Sequence, residues 1–272
     1  MLMFFSIDIG GTKVRVASSH LGHTLERSVR FHTPADSHDF LTYIKLAFEK
    51  LAPNAPVDAI GIAAPGPLDQ HKGIILNPTN LAWRNYQIVS ELSKAFHCPV
   101  HLEHDATCGG IAEAKHGAGK GHKYVLYVTI STGIGHSFIV SGTPVAGRHN
   151  PQSSNMLIIA EEHLTTLEEW TSGKAIKKEF GKIAADIHDK PTWKVISRRL
   201  AIVLHNLISI YAPDIVVLGG GVSVHFDKFS TLLRRELTQL PHAYPIPPIA
   251  QAENVELAPA LGAMILSHHR TN

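Results

Sequence analysis

Only two cysteines, Cys98 and Cys108, occur among the 272 residues. That count excludes a disulfide framework and a four-sulfur zinc site. Long hydrophobic runs are also missing: no stretch approaches the roughly 20 apolar residues a membrane helix needs. The apolar start, Met1 to Phe5, lacks a basic n-region and is cut short by Asp8. Neither sign of charge dominates, since Lys+Arg 25 against Asp+Glu 23 leaves +2 without a basic tract. Nucleic-acid binding therefore has no electrostatic footprint. There is no Ser/Gly linker and no low-complexity segment. These absences lead to the expectation of a soluble cytoplasmic protein with no membrane or nucleic-acid partner.

The remaining composition is ordinary: 44% hydrophobic and 18% charged, enough for one large domain or two modest ones. The 19 histidines are scattered. The tightest group, His97, His101 and His104, straddles a helix–strand junction where side chains diverge, so no metal site is expected there.

The most informative stretch is Phe4–Ala17. An apolar, β-branched run enters Gly10-Gly11 and a second such run leaves it, which reads as strand, tight turn and strand. Glycines let backbone N–H groups approach an anion, Thr12 and Lys13 add a hydroxyl and a cation, and Asp8 is placed to hold a hydrated Mg²⁺. A plain hairpin is the competing reading. The pattern restarts about 120 residues later: Tyr124–Ile130 is apolar, Ser131-Thr132-Gly133-Ile134-Gly135 is a turn, and Ser137–Val140 is another strand.

Helical spacing marks Asp39–Leu51, Ile88–Phe96, Asp105–Ala114, Glu168–Phe180, Trp193–Tyr211, Phe226–Leu237 and Pro259–Ser267. Val57–Ala63, Pro99–Glu103 and Asp214–Leu218 read as short strands, and the last delivers Gly219-Gly220-Gly221 to its carboxyl end. In an open α/β sheet that edge is where ligands bind. Alternating strands and helices indicate an α/β protein.

Glu103-His104-Asp105-Ala106 follows a strand and opens a helix. Asp105 serves as an N-cap or, between two phosphate-loop candidates, as the base that accepts a proton from an alcohol during phosphoryl transfer.

Taken in order, Asp8–Lys13, Ala64-Pro65-Gly66-Pro67, Asn80-Leu81-Ala82-Trp83, Glu103–Ala106, Thr132–Gly135, Ser172-Gly173 and Gly219–Gly221 resemble the motifs of ROK-family sugar kinases. The resemblance runs from Phe4 to about Leu266. It implies the actin-like ATPase fold shared with hexokinases, with two α/β lobes around a cleft: a small lobe of residues 1–104 joined by the C-terminal helix 258–272, and a large lobe of residues 105–257. It implies ATP and Mg²⁺ as cofactors, a homodimer, and phosphorylation of a hexose, usually at the 6-hydroxyl. Asp105 matches the family's catalytic base. Gly10, Gly11, Thr12 and Lys13 match the first phosphate loop, Thr132 and Gly133 the second, and Gly219 and Gly220 the adenosine loop. Gly66, Asn80, His104, Asp105 and Glu168 fall on sugar-contact positions.

The departures from the family's pattern cluster on the acceptor side. The zinc knuckle that precedes the family's glutamate is absent, so no zinc is expected. Pro151-Gln152-Ser153-Ser154-Asn155 stands in place of Gly-Glu-x-Gly-His, leaving Gln152 and Asn155 as neutral hydrogen-bonding groups. His104 replaces the usual asparagine before the catalytic aspartate. Zinc-free relatives include polyphosphate glucokinases. Three readings follow: an ATP-dependent sugar kinase, a polyphosphate-dependent one, and a sugar-binding pseudokinase. A repressor is not expected, because only seven residues precede Asp8.

Overall fold

The computed structural model describes residues 3–145, 150, 152–160 and 162–269. The chain divides into two compact units: Met1–Ala112 with Gly147–Asn150 and Leu257–Asn272, and Glu113–Ala146 with Pro151–Glu256. The first boundary between the units thus falls after Ala112, where the sequence expectation was 104/105.

Five strands form the sheet of the first unit. β1 (Phe4–Ile9), β2 (Lys13–Ser19) and β3 (Arg27–His32) make an antiparallel ribbon, and α1 (Phe40–Leu51) follows. β4 (Ala59–Ala64) comes next, then the two-residue strands β5 (Leu68–Asp69) and β6 (Ile74–Ile75) pair with each other. α2 (Ile88–Phe96), β7 (Val100–His104) and α3 (Asp105–His116) complete the series. The sheet order is β3-β2-β1-β4-β7, with β1, β4 and β7 parallel. Each residue of β4 is buried, as a central parallel strand covered on both faces requires. α1 buries Phe40, Ile44, Ala47, Phe48 and Leu51, the i, i+4, i+7, i+8, i+11 face of an amphipathic helix. Phe48 stacks on Phe5 of β1 at 3.8 Å between ring centroids.

The C-terminal helix (Ala258–His269) returns to this unit and packs on β1 and β4. It also lies against α3 so closely that a Cβ at Gly262 would overlap the Cys108 carbonyl. That contact explains why the first turns of α3 belong to the first unit.

In the second unit the strands are β8 (Tyr124–Ile130), β9 (Ile134–Val140), β10 (Thr143–Val145), the hairpin β11 (Leu157–Ala160) and β12 (His163–Thr166), then β13 (Ile215–Gly219) and β14 (Ile249–Gln251). Its helices are α4 (Leu167–Thr171), α5 (Gly173–Phe180), α6 (Lys190–Tyr211) and α7 (Phe226–Thr238). The main sheet runs β10-β9-β8-β13-β14, again an antiparallel ribbon followed by parallel strands. Its strand order and sense repeat those of the first sheet.

Two local differences from expectation have physical causes. The helix read over Glu168–Phe180 is broken at Ser172, whose extended backbone (φ −68°, ψ 162°) lets its side chain accept from the Ala175 N–H and start α5 afresh. The helix read from Trp193 begins at Lys190, because Asp189 accepts from the Thr192 N–H at 2.8 Å and Pro191 suits a first turn.

Candidate functional site

In the first unit the candidate groups lie at the carboxyl ends of adjacent parallel strands. The register pairs Asp8 with Ala63 and Ala63 with Glu103, so β1 ends at Asp8–Ile9, β4 leads into Gly66, and β7 ends at His104. Burial first, then the negative charge of Asp105, pushes the Asp8 carboxyl up to about 7, with Arg30 opposing the rise. Asp105 opens α3 with its side chain 39% exposed, and its Oδ1 accepts the Ala106 N–H at 2.7 Å. His104 Nδ1 is 3.1 Å from that oxygen and also accepts from Ala106 N–H at 3.3 Å, so the shared N–H ties both side chains to the first turn of α3.

The first glycine turn is closed by Gly10 N–H donating to the Lys13 carbonyl at 2.9 Å. That amide is therefore spent inside the turn, while Thr12 and Lys13 stand exposed at its tip. Thr33 braces the turn by donating its hydroxyl to the Gly10 carbonyl and its N–H to the Thr12 carbonyl. Asn80 reaches this turn too: a Cβ on Gly11 would come 2.8 Å from the Asn80 carbonyl oxygen. The first unit thus gathers Asp8, Gly10–Lys13, Asn80, His104 and Asp105, with Gly66 on the neighbouring strand end.

The second unit gathers the others. Ser131 N–H donates to the Gly133 carbonyl, and the start of α5 is stitched on by Gly173 N–H to Ser131 and Lys174 N–H to Thr132. The Gly219–Gly221 turn joins the same loop, since Val222 N–H donates to the Ile130 carbonyl at 3.0 Å, and Gly220 has φ +81°. Glu168, at the start of α4, puts its carboxylate against Gly133: a Cβ there would be 2.6 Å from Oε2. Gln152 precedes and Asn155 ends a single 3₁₀ turn, Ser153–Asn155, and both are exposed. Leu167 N–H bonds the Met156 carbonyl, which brings that turn onto α4.

Sequence reasoning missed Arg30, which faces Asp8 from β3, and Lys174, whose N–H bonds the second loop. It also missed a polar cluster of Gln70, Glu103, Thr107 and Asn150 in the first unit. Glu103 lies inside the quoted Glu-His-Asp motif, which was the available signal. Asn150 carried none.

The donor set suits a nucleotide with Mg²⁺. A Mg²⁺ that keeps its waters and binds phosphate oxygens needs only one or two carboxylates, and a cation would discharge the crowded Asp8. Among the described residues no group of three or more His, Cys, Asp or Glu is placed to hold a metal ion. Cys98 and Cys108 are buried, and neither is in a disulfide. No helix among the described residues is long and apolar enough to cross a membrane.

The profile of the ROK family matches residues 4–270. The chain belongs to the ROK family. A fructokinase of Zymomonas mobilis subsp. mobilis is 29% identical over 205 residues, covering 68% of each chain. The solved structure of a ROK family glucokinase from Streptomyces griseus in complex with glucose and AMPPNP superposes with a TM-score of 0.83. It covers 98% of this chain and 99% of that one at 22% identity, and so shows the ROK fold, the actin-like ATPase architecture. An inorganic polyphosphate/ATP-glucomannokinase from Arthrobacter sp. strain KM is 27% identical with a TM-score of 0.76, over 99% of this chain and 100% of that one.

Proposed function

We propose that this ROK protein is a sugar kinase of the fructokinase/glucokinase type that moves the terminal phosphoryl group of ATP to a hexose hydroxyl. The observation that carries the reading is Asp105: a partly exposed carboxylate at a helix start, on the strand edge that also holds Asp8 and the first glycine turn. Its Oδ1 is held by the Ala106 N–H, which leaves Oδ2 to take the proton of the sugar hydroxyl. As that proton leaves, the hydroxyl oxygen bonds to the γ-phosphorus and the bond to the β-phosphate oxygen breaks, releasing ADP.

Thr12, Lys13, Thr132 and Gly133 hold the phosphates, and Gly219 and Gly220 face the adenosine. Asp8 is the carboxylate that would hold a Mg²⁺, which would supply charge neutralisation on the phosphates. Gly66, Asn80, His104, Gln152, Asn155 and Glu168 bind sugar hydroxyls. With ATP as donor, the protein works in the cytoplasm, and we expect it to be a homodimer.

A second donor, polyphosphate, is favoured by the likeness to the inorganic polyphosphate/ATP-glucomannokinase. A coupled assay with glucose, fructose, mannose and their N-acetylamino relatives, each with ATP and with polyphosphate, tests both readings. Asp105→Ala is expected to lower kcat by about 100-fold or more with nucleotide binding kept. A near-normal rate in that variant would remove Asp105 as the base.

A further inference from the structure

Two strand ends away from the phosphate turn, the carboxylate of Glu103 forms a polar node in the first unit. Its Oε1 accepts three donors: Gln70 Nε2 at 2.5 Å, the His104 N–H at 2.7 Å and Asn150 Nδ2 at 2.8 Å. Asn150 Nδ2 also lies 3.1 Å from Thr107 Oγ1, in the first turn of α3. Glu103 is 5% exposed and Asn150 8%. A carboxylate so deeply placed needs such donors, because an unpartnered one would be costly to bury.

The three donors come from three different acceptor-side segments. Gln70 follows β5, just beyond the Gly66-Pro67 turn. His104 precedes the base. Asn150 stands two residues before Gln152 in the sequence. A single carboxylate oxygen therefore links all three. The sheet needs none of this to form: β7 pairs with β4 through backbone bonds alone.

We infer that Glu103 is a positioning residue of the acceptor side, and that Asn150 is its partner in fixing the start of α3, where His104 and Asp105 stand. Neither touches the reacting atoms; both act through the residues they hold. The inference rests on the sugar-kinase reading. Its chemical consequence is selective, since donor binding depends on the glycine turns and acceptor binding on this node.

The test compares Glu103→Gln, Asn150→Ala, the double variant and Gln70→Ala in the intact protein. Initial rates are measured against sugar and ATP separately, with the thermal midpoint followed in parallel. Losing a hydrogen bond to a charged group should lower kcat/KM for the sugar by about tenfold or more in each of the first two variants. KM for ATP should stay within about twofold, while the thermal midpoint falls by several degrees because a buried charge loses a partner. The double variant should lose little more than the worse single one, as expected for two members of one network. Sugar and ATP parameters falling together with the thermal midpoint, or neither changing, would overturn the inference. If Glu103→Gln fails to fold, Gln70→Ala, whose side chain is only half-buried, carries the same test. Asp105→Asn is run alongside: a normal rate there sinks the assignment of the base and leaves the node's effect on sugar kinetics still readable. Should the parent protein transfer phosphate to no sugar in the panel, the kinase reading fails. Calorimetric sugar affinity then decides the node, with a tenfold loss in Glu103→Gln supporting it and unchanged or absent binding overturning it.

Discussion

The carboxylate of Glu168 rests against the backbone of Gly133, with Oε2 2.6 Å from the point where a Cβ on that glycine would stand. A residue expected to meet sugar hydroxyls is thus in contact with the second phosphate turn. Gly133→Ala would push the carboxylate aside, and because the displaced atom ends a flexible side chain, the fold should absorb it. We expect a loss in kcat/KM of about tenfold or more, since small misplacements at a reacting centre are costly. The thermal midpoint should fall by no more than a few degrees. Calorimetry and steady-state rates on one preparation check both.

Asp8 makes stability depend on pH. Burial and the neighbouring Asp105 charge raise its folded carboxyl to about 7, from an ordinary value of 3.8. Between those values the folded chain keeps a proton that the unfolded chain has released, so stability declines as pH rises through that window. The deficit above pH 7 is of order 4 kcal/mol at most. In metal-free buffer Asp8→Asn should be more stable than the parent at pH 8 and equal to it near pH 3. Urea midpoints at the two pH values measure this, and an unchanged difference between them would contradict it. Mg²⁺ should narrow the gap at pH 8, because it favours the ionised carboxylate.

Gly262 in the C-terminal helix faces the Cys108 carbonyl of α3 with no room for a methyl group. Backbone on both sides prevents the relief that Gly133 enjoys. Gly262→Ala should cost about 1–3 kcal/mol despite the better helix propensity of alanine. Chemical denaturation reads the difference directly.

Arg199 on α6 is 8% exposed. Its guanidinium meets both carboxylate oxygens of Glu179, at 2.5 and 2.7 Å, and the Trp170 carbonyl at 3.2 Å, holding α4 and α5 to α6. Removing it leaves Glu179 without its partner, but the Glu179 side chain is 42% exposed and water recovers part of the loss. Arg199→Ala should therefore destabilise by about 2–3 kcal/mol. Arg199→Lys should recover little, because an ammonium cannot reproduce the two-pronged contact.

The two glycine turns were legible because their chemistry is local. Apolar β-branched runs on either side of Gly10-Gly11 and of Thr132-Gly133 can do little except form hairpins, and the repeat exposed the relation between the two sheets. Asp105 was legible for the same reason, as a carboxylate between a strand and a small-residue helix. The β11–β12 hairpin was not anticipated. Leu157, Ile159 and Leu164 are largely exposed there, 64%, 80% and 68%, so no core-facing apolar pattern marks the segment. The break at Ser172 was hidden too, since helical periodicity continues across it and only the capping bond reveals the restart.

By itself the sequence marked the candidate residues and determined the local form each takes: glycine turns, a carboxylate at a helix start, a strand ending in three glycines. These depend on neighbours a few positions away, where propensity and capping act. The tertiary structure decided which of those residues meet. Glu103 and Asn150 are 47 positions apart and Glu168 and Gly133 are 35 apart, and no local preference encodes either contact. Their meeting follows from parallel strand pairing and helix packing, which bring distant segments to one sheet edge, and burial then makes the hydrogen bonds between them obligatory.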